Sequence, residues 1–135
     1  MPTARYFFDA GSGTLLWATE PADQEVWGYA IDLERLPISR TLLAELDDLL
    51  TRYDSSLNWD YPPDPGPWRE ARCREFNDAA RRALAGLREE LGPEWRIEDG
   101  FRELHEDPDL DRYLTDPKGF TREPDPAPPP GSQAT

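Results

Sequence analysis

A proline- and tryptophan-rich segment separates the two strongest helical patterns of this chain, and it limits where each helix can end and begin. Residues 55–68 read SSLNWDYPPDPGPW, with two tryptophans, one tyrosine, four prolines and two aspartates. Proline interrupts a helix interior, a flexible spacer would be rich in glycine and serine, and a disordered segment would lack aromatic residues. The composition therefore predicts an ordered loop over residues 54–67 that connects two helices. Ordered long loops are often functional.

Two amphipathic helices are predicted on either side of this loop. The first runs from an N-cap at Ser39 to residue 53, because its apolar side chains recur at helical spacing. The second begins at Pro67 or Trp68 and ends at residue 91, since glycine and proline follow it. The buried stripe predicted for the second helix comprises Cys73, Phe76, Ala80, Ala83, Leu84, Leu87 and Leu91.

The rest of the chain predicts short strands. Residues 4–18 read as a hairpin around a glycine-rich turn, residues 26–33 alternate large and small side chains like a strand, and residues 94–98 form another short strand. A short helix is predicted over residues 107–114. This order of elements predicts an α+β fold, in which a small, mainly antiparallel sheet of three to four strands carries two main helices on one face.

Length and composition predict one domain over residues 1–120. The chain has 135 residues, which suffices for a single core. Residues 121–135 are rich in proline and offer almost nothing to bury, so they are predicted to be a disordered tail.

Charge and cysteine content restrict the classes of partner and compartment. The formal charge is -13, from 28 acidic and 15 basic residues, so nucleic acids and anionic membrane surfaces would be repelled and a basic protein attracted. Acidity that serves only solubility is the alternative explanation. One cysteine allows no intramolecular disulfide, and neither a signal peptide nor a membrane span is visible. We expect a cytoplasmic protein.

No residue set specifies a reaction, a cofactor or a metal. The only histidine, His105, has acidic neighbours but no identifiable nucleophile to serve, and Cys73 falls on an apolar helix stripe. The aspartates at 107, 109 and 111 match the start of a calcium loop. Arg112 and Lys118, however, occupy the positions where that loop needs glycine and glutamate. The sequence therefore predicts no cofactor or metal site and favours a protein without enzymatic activity, while a small enzyme stays an alternative.

The proline- and tryptophan-rich loop has two interpretations that can coexist. Its aromatic side chains can fold back as a lid on the core, or some of them can stay exposed beside aspartates and bind a basic protein surface. The candidate protein-binding residues are Trp59, Asp60, Tyr61, Asp64 and Trp68. Their burial decides between the two interpretations.

Three phrases of the sequence support a resemblance. The phrases YFFDAGSGTLLW, SLNWDYPPDPGPW and LREELGPEW resemble small uncharacterised bacterial proteins of actinomycete genomes, over most of residues 5–120. This resemblance implies no activity. Small size, strong acidity and the lack of a catalytic constellation are also similar in general character to toxin-neutralising immunity proteins.

Three hypotheses for function follow. The first is an acidic, cytoplasmic protein-binding module of immunity or inhibitor type that engages a basic partner protein. The second is a small enzyme or ligand-binding domain, with a pocket under the loop that uses Asp60, Asp64 or His105 as polar groups. The third is an accessory subunit of a larger complex. Oligomeric state is left open.

Overall fold

A computed structural model describes residues 1–122. Three strands, four α-helices and two short 3₁₀ turns follow one another along these residues. In chain order they are β1 (Thr3–Tyr6), β2 (Leu16–Ala18), α1 (Pro21–Trp27), a 3₁₀ turn (Leu33–Arg35), α2 (Arg40–Ser55), α3 (Glu70–Leu91), a second 3₁₀ turn (Gly92–Glu94), β3 (Arg96–Asp99) and α4 (Leu110–Thr115). The predicted α+β class is confirmed.

The sheet has the order β2-β1-β3, with β1 in the centre. The predicted hairpin is confirmed, because β1 and β2 pair antiparallel with Ala4 opposite Ala18. The short strand predicted over residues 94–98 also forms, as β3, but it pairs parallel to β1 with Ile97 opposite Ala4, so the sheet is mixed. Alternation along β1 buries Ala4 and Tyr6 and turns Arg5 to the opposite, outer face.

The strand predicted over residues 26–33 is wrong. Pro21 occupies the first turn of α1, which continues to Trp27 and ends at Gly28 with φ of +82°. Only Ala30 forms a single bridge, opposite Trp17 of β2. Pro21 favours the start of a helix and Gly28 favours its end, and these two signals outweigh the apparent alternation of a strand.

The two main helices form where the sequence predicts them. Ser39 caps α2, since its Oγ accepts a hydrogen bond of 3.1 Å from the Leu42 amide. The helix α3 starts slightly later than predicted, at Glu70, and every predicted stripe residue is buried. Tyr6 joins α3 to the inner face of the sheet, because its buried hydroxyl donates a 2.7 Å hydrogen bond to the Ala80 carbonyl.

An aromatic cluster fills the core between these elements, with the ring of Phe76 in α3 at its centre. Ring centroids of Phe8, Tyr53, Trp68 and Phe101 lie 5.2, 5.9, 5.6 and 6.3 Å from that of Phe76. The single domain predicted for residues 1–120 stays a prediction. Most of the predicted disordered tail, residues 123–135, lies outside the described residues.

Replacing Tyr6 with phenylalanine should lower the free energy of unfolding by about 1 kcal/mol, because the buried bond to the Ala80 carbonyl is lost while the ring stays packed. Urea denaturation measures this change. The exposed Tyr29 provides the matched control, and Tyr29→Phe should leave stability unchanged. Equal stability of Y6F and the parent protein would contradict a stabilising role for the hydroxyl.

Candidate functional site

Asn58 organises the loop between α2 and α3. Its Oδ1 accepts hydrogen bonds from the backbone amides of Asp60 and Tyr61, at 3.1 and 3.2 Å, and its Nδ2 donates to the Pro65 carbonyl at 3.2 Å. Asparagine suits this task because its short side chain can satisfy the backbone of a turn. Asn58 is buried, and its three bonds fix the backbone of residues 58–65; the bond to Pro65 is itself buried, whereas the bonds from Asp60 and Tyr61 are partly buried.

The two ends of the loop approach each other closely at Gly66. A Cβ atom at this position would overlap the carbonyl oxygen of Ser56, so only glycine fits without a backbone shift. Pro65 beside it is fully buried. The loop therefore closes on itself at its base, while its tip points away from the core.

Trp59 lies on this loop with its indole held at one edge only. Its Nε1 donates a 2.6 Å hydrogen bond to the Asp54 carbonyl, and its ring lies beside Gly11 of the β1–β2 turn. The Asp54 carboxylate in turn accepts a 3.0 Å bond from the Gly11 amide. Even so, 57% of Trp59 is exposed, so a large apolar face with a fixed orientation is open to solvent.

Tyr61 and the two aspartates complete the surface that the sequence predicted. Tyr61 is 58% exposed, Asp60 is exposed, and Asp64 is half-buried. No arginine or lysine occurs from residue 53 to residue 68, so the loop carries only negative charge. We call Trp59, Asp60, Tyr61 and Asp64 the loop surface.

The helix α4 extends this surface in a way that the sequence did not reveal. A groove of about 320 Å³ lies between the loop and α4, and Trp59, Tyr113 and Leu114 are among its lining residues. Leu114 is 54% exposed. The only hint in the sequence was an apolar residue, Leu114, near the end of a short predicted helix. Nothing in the local sequence indicated that α4 packs beside the loop.

Trp68 differs from the other candidates because it is buried. Its ring packs edge-on against Phe76, with the Arg72 guanidinium 4.7 Å from the ring centroid. It therefore belongs to the core and lies outside the loop surface. The lid interpretation therefore applies to Trp68, which lies in the core, and the surface interpretation applies to Trp59 and Tyr61, which are exposed.

A second cavity of about 390 Å³ lies between the loop and residues 104–108. Asp64 and His105 line it, whereas Asp60 does not. His105 Nδ1 lies 3.3 Å from the Glu70 carboxylate. Cys73 also lines this cavity, but burial, followed by the charges of neighbouring glutamates, raises the pKa of its thiol. The thiol is thus kept protonated, which does not suit a nucleophile.

Segment 100–109 has no helix or strand, yet side chains hold it firmly against α3. Asn77 donates to the Leu104 carbonyl at 2.9 Å and accepts from the Leu104 amide at 2.8 Å. Glu70 and Glu106 each accept a bond from the backbone amide of the other, at 2.9 and 3.0 Å. The bond from the Glu106 amide is the largest of the effects that lower the pKa of Glu70.

Arg122 connects this segment to the loop. Its guanidinium donates to the Pro63 carbonyl at 2.8 Å and pairs with the carboxylates of Asp107 and Asp109 at 2.7 and 3.0 Å. The hydrogen bond from Arg122 lowers the pKa of Asp107. One side chain thus joins the loop backbone to the acidic turn before α4.

Residues 1–122 contain no cluster of metal-ligating side chains and no helix suited to a membrane. No three His, Cys, Asp or Glu side chains there converge closely enough to hold a metal ion. None of the helices in this part of the chain combines the length and the apolar character that crossing a bilayer requires.

Most of the chain, including the loop surface, matches one protein family. Residues 8–98 match the Serratia CdiI immunity protein-like family, to which this chain therefore belongs. The match contains α2, the whole loop and α3, whereas α4 and Arg122 follow it. No curated protein matches the chain.

Gly66→Ala should lower the free energy of unfolding by about 2 kcal/mol, because the added methyl group forces the base of the loop apart. Thermal and urea denaturation measure the loss. Because Trp59 contacts the β1–β2 turn, its fluorescence should also shift if the loop moves as a unit. A protein of unchanged stability would show that the backbone adjusts at no cost.

Arg122→Gln should destabilise the protein at pH 7 by up to about 1 kcal/mol, since the ion pairs lie partly in solvent. Because Asp107 has a lowered pKa in the fold, the pair contributes above the ordinary aspartate pKa of about 4 and is lost as pH falls through the lowered value. The difference between variant and parent should therefore vanish in acid. Arg40→Gln removes an exposed arginine elsewhere and is the control; a difference independent of pH would contradict the assignment.

Proposed function

We propose that this chain is an immunity protein that binds a partner toxin through the loop surface. Membership of an immunity protein family supports a protein partner. The observation that carries the choice of surface is the exposure of Trp59 and Tyr61, each more than half open to solvent on a loop fixed by buried hydrogen bonds.

The physical argument for binding at this surface is pre-organisation. Tryptophan and tyrosine dominate the energetics of protein interfaces because they bury a large area with few rotatable bonds. Asn58 fixes the loop backbone and Asp54 holds the Trp59 indole, so little conformational entropy remains to be lost on binding. The groove beside α4 supplies an apolar recess into which a partner side chain can insert.

Charge supports a basic partner. Asp54, Asp60 and Asp64 lie in a stretch without cations, within a chain of net charge -13. A negative surface attracts a cationic protein and speeds its association. The same field disfavours nucleic acid and anionic lipid as partners. A cytoplasmic location and an actinomycete source complete the proposal, on the grounds of cysteine content and sequence resemblance.

The alternative hypothesis, a small enzyme with a pocket under the loop, has less support than a protein that binds a toxin. The cavity near His105 is lined by Asp64 and Cys73, but the thiol is held protonated and the imidazole interacts with a glutamate. An accessory subunit would use the same loop surface and would differ only in the identity of its partner. The partner therefore distinguishes these hypotheses.

The proposal is tested by replacing the loop surface in one variant, W59A/D60N/Y61A/D64N. The partner is first identified among proteins that co-purify with this chain from the native host and is then purified. The variant should bind it at least about 100-fold more weakly, since two aromatic hot spots and two steering charges are lost. Surface plasmon resonance measures affinity, and a growth assay with the co-expressed partner measures protection.

Tyr29→Ala is the matched control, because Tyr29 is as exposed as Tyr61 but lies elsewhere. It should retain full affinity, and circular dichroism should show that both variants are folded. Raising ionic strength from about 0.05 to 0.5 M should mainly slow association. Full affinity of the loop variant would refute this surface, and an association rate insensitive to salt would refute a basic partner.

A further inference from the structure

A cavity larger than the two beside the loop is lined by residues that lie far from the loop surface in sequence. It is an open groove of about 630 Å³ on the outer face of the sheet, opposite the face that α3 covers. Its volume lies within the range typical of small-molecule sites, about 300–1,000 Å³. The residues that define its chemistry are Arg5, Phe7, Trp17, Tyr29, Phe101 and Arg102.

The charge of this groove is opposite to that of the molecule. None of its lining residues is acidic, although the chain has 28 acidic residues. Within residues 1–122, no carboxylate lies within ion-pair distance of Arg5 or Arg102, including Glu98, which is opposite Arg5 in the ladder. Two guanidinium groups therefore remain available to an anion.

Aromatic rings form the wall of the groove. Phe7 and Trp17 stack with centroids 4.9 Å apart and planes within 8°. The Trp17 Nε1 donates a 3.0 Å hydrogen bond to the Phe7 carbonyl, which fixes the indole. The Tyr29 ring lies 5.2 Å from that of Trp17 and is tilted by 50° to it, and Tyr29 is 58% exposed, so an open aromatic face lies beside the stacked pair.

The position of Arg5 depends on Gly100. A Cβ atom at Gly100 would lie 2.6 Å from Arg5 Nε and 3.0 Å from its Cγ, so the arginine side chain lies directly across the glycine backbone. The side chain is thus directed along the groove by close packing. A parallel pairing of β3 with β1 is what brings these two residues together.

The groove combines residues from inside and outside the segment that matches the family, because Trp17 and Tyr29 lie within that segment and both arginines lie outside it. Arg5 and Phe7 precede the matched residues 8–98, and Gly100 to Arg102 follow them. The family description names an immunity protein and assigns no ligand to this groove. It is also independent of the loop surface, because the two share no residue.

We propose that this groove binds a small planar anion, in which a flat ring carries a carboxylate or a phosphate. The ring stacks on the open face at Tyr29, and the anionic group binds the guanidinium groups of Arg5 and Arg102. Arginine is suited to this task because its planar donors match the oxygens of carboxylates and phosphates. A polymer such as nucleic acid is disfavoured, because its many phosphates would lie against an acidic protein, whereas a small anion contacts only the two arginines.

The test uses isothermal titration calorimetry on the full chain with two anions and their neutral counterparts. Adenosine monophosphate represents ring phosphates and indole-3-acetate represents ring carboxylates, while adenosine and indole lack the charge. We expect one anion to bind saturably, at one site, and at least tenfold more tightly than its neutral counterpart. The anion that binds shows whether the site prefers a phosphate or a carboxylate.

Variants locate the site. R5Q/R102Q should lose at least tenfold in affinity, and Tyr29→Ala should lose several-fold through the missing stacking face. R40Q, which removes an exposed arginine outside the groove, should bind as the parent does. The loop variant W59A/D60N/Y61A/D64N should also retain anion binding, which separates this proposal from the proposed toxin surface.

Two outcomes would overturn the proposal. If neither anion shows saturable heat at millimolar concentration, the groove is not a site for planar anions. Alternatively, R5Q/R102Q, shown to be folded by circular dichroism, binds as tightly as R40Q, which would place the anion elsewhere.

Discussion

The packing of one phenylalanine ring holds this structure together. Phe76 lies on the buried stripe of α3 and contacts Phe8 after β1, Tyr53 in α2, Trp68 at the end of the loop and Phe101 after β3. Burying such rings contributes a few kilocalories per mole each, and edge-to-face pairs add further stability. Four segments that are distant in sequence thus share one contact, and each is positioned relative to the others through α3.

The features that the sequence predicts well are those set by long, regular patterns. The stripes of α2 and α3 repeat over several helical turns, and the β1–β2 hairpin needs only local turn chemistry. The strand predicted over residues 26–33 is wrong because it rested on a short alternation, whereas Pro21 and Gly28 define a helix and its end. The parallel direction of β3 depends on how the chain crosses after α3, which no local signal encodes.

The two candidate sites show the same limit. Composition located the loop and its candidate residues, but burial alone separates Trp68 from Trp59 and Tyr61, and burial depends on tertiary packing. The sequence did not predict that Leu114 lines a groove beside the loop, because α4 meets the loop only in the folded chain. The outer groove was missed entirely, since its two arginines lie near opposite ends of the described chain and come to line one groove only after β3 pairs with β1.

The close approach at Gly66 makes the loop an Ω-loop, whose ends meet at its base. Trp59 and Pro63 are bonded to other parts of the fold, but the side chains at positions 60–62 are exposed, so substitutions there leave Phe76 and both helices in place. If the loop surface binds the toxin as proposed, substitutions at these exposed positions can follow changes in the toxin. Stability and partner specificity would then depend on separate parts of the chain and could evolve independently.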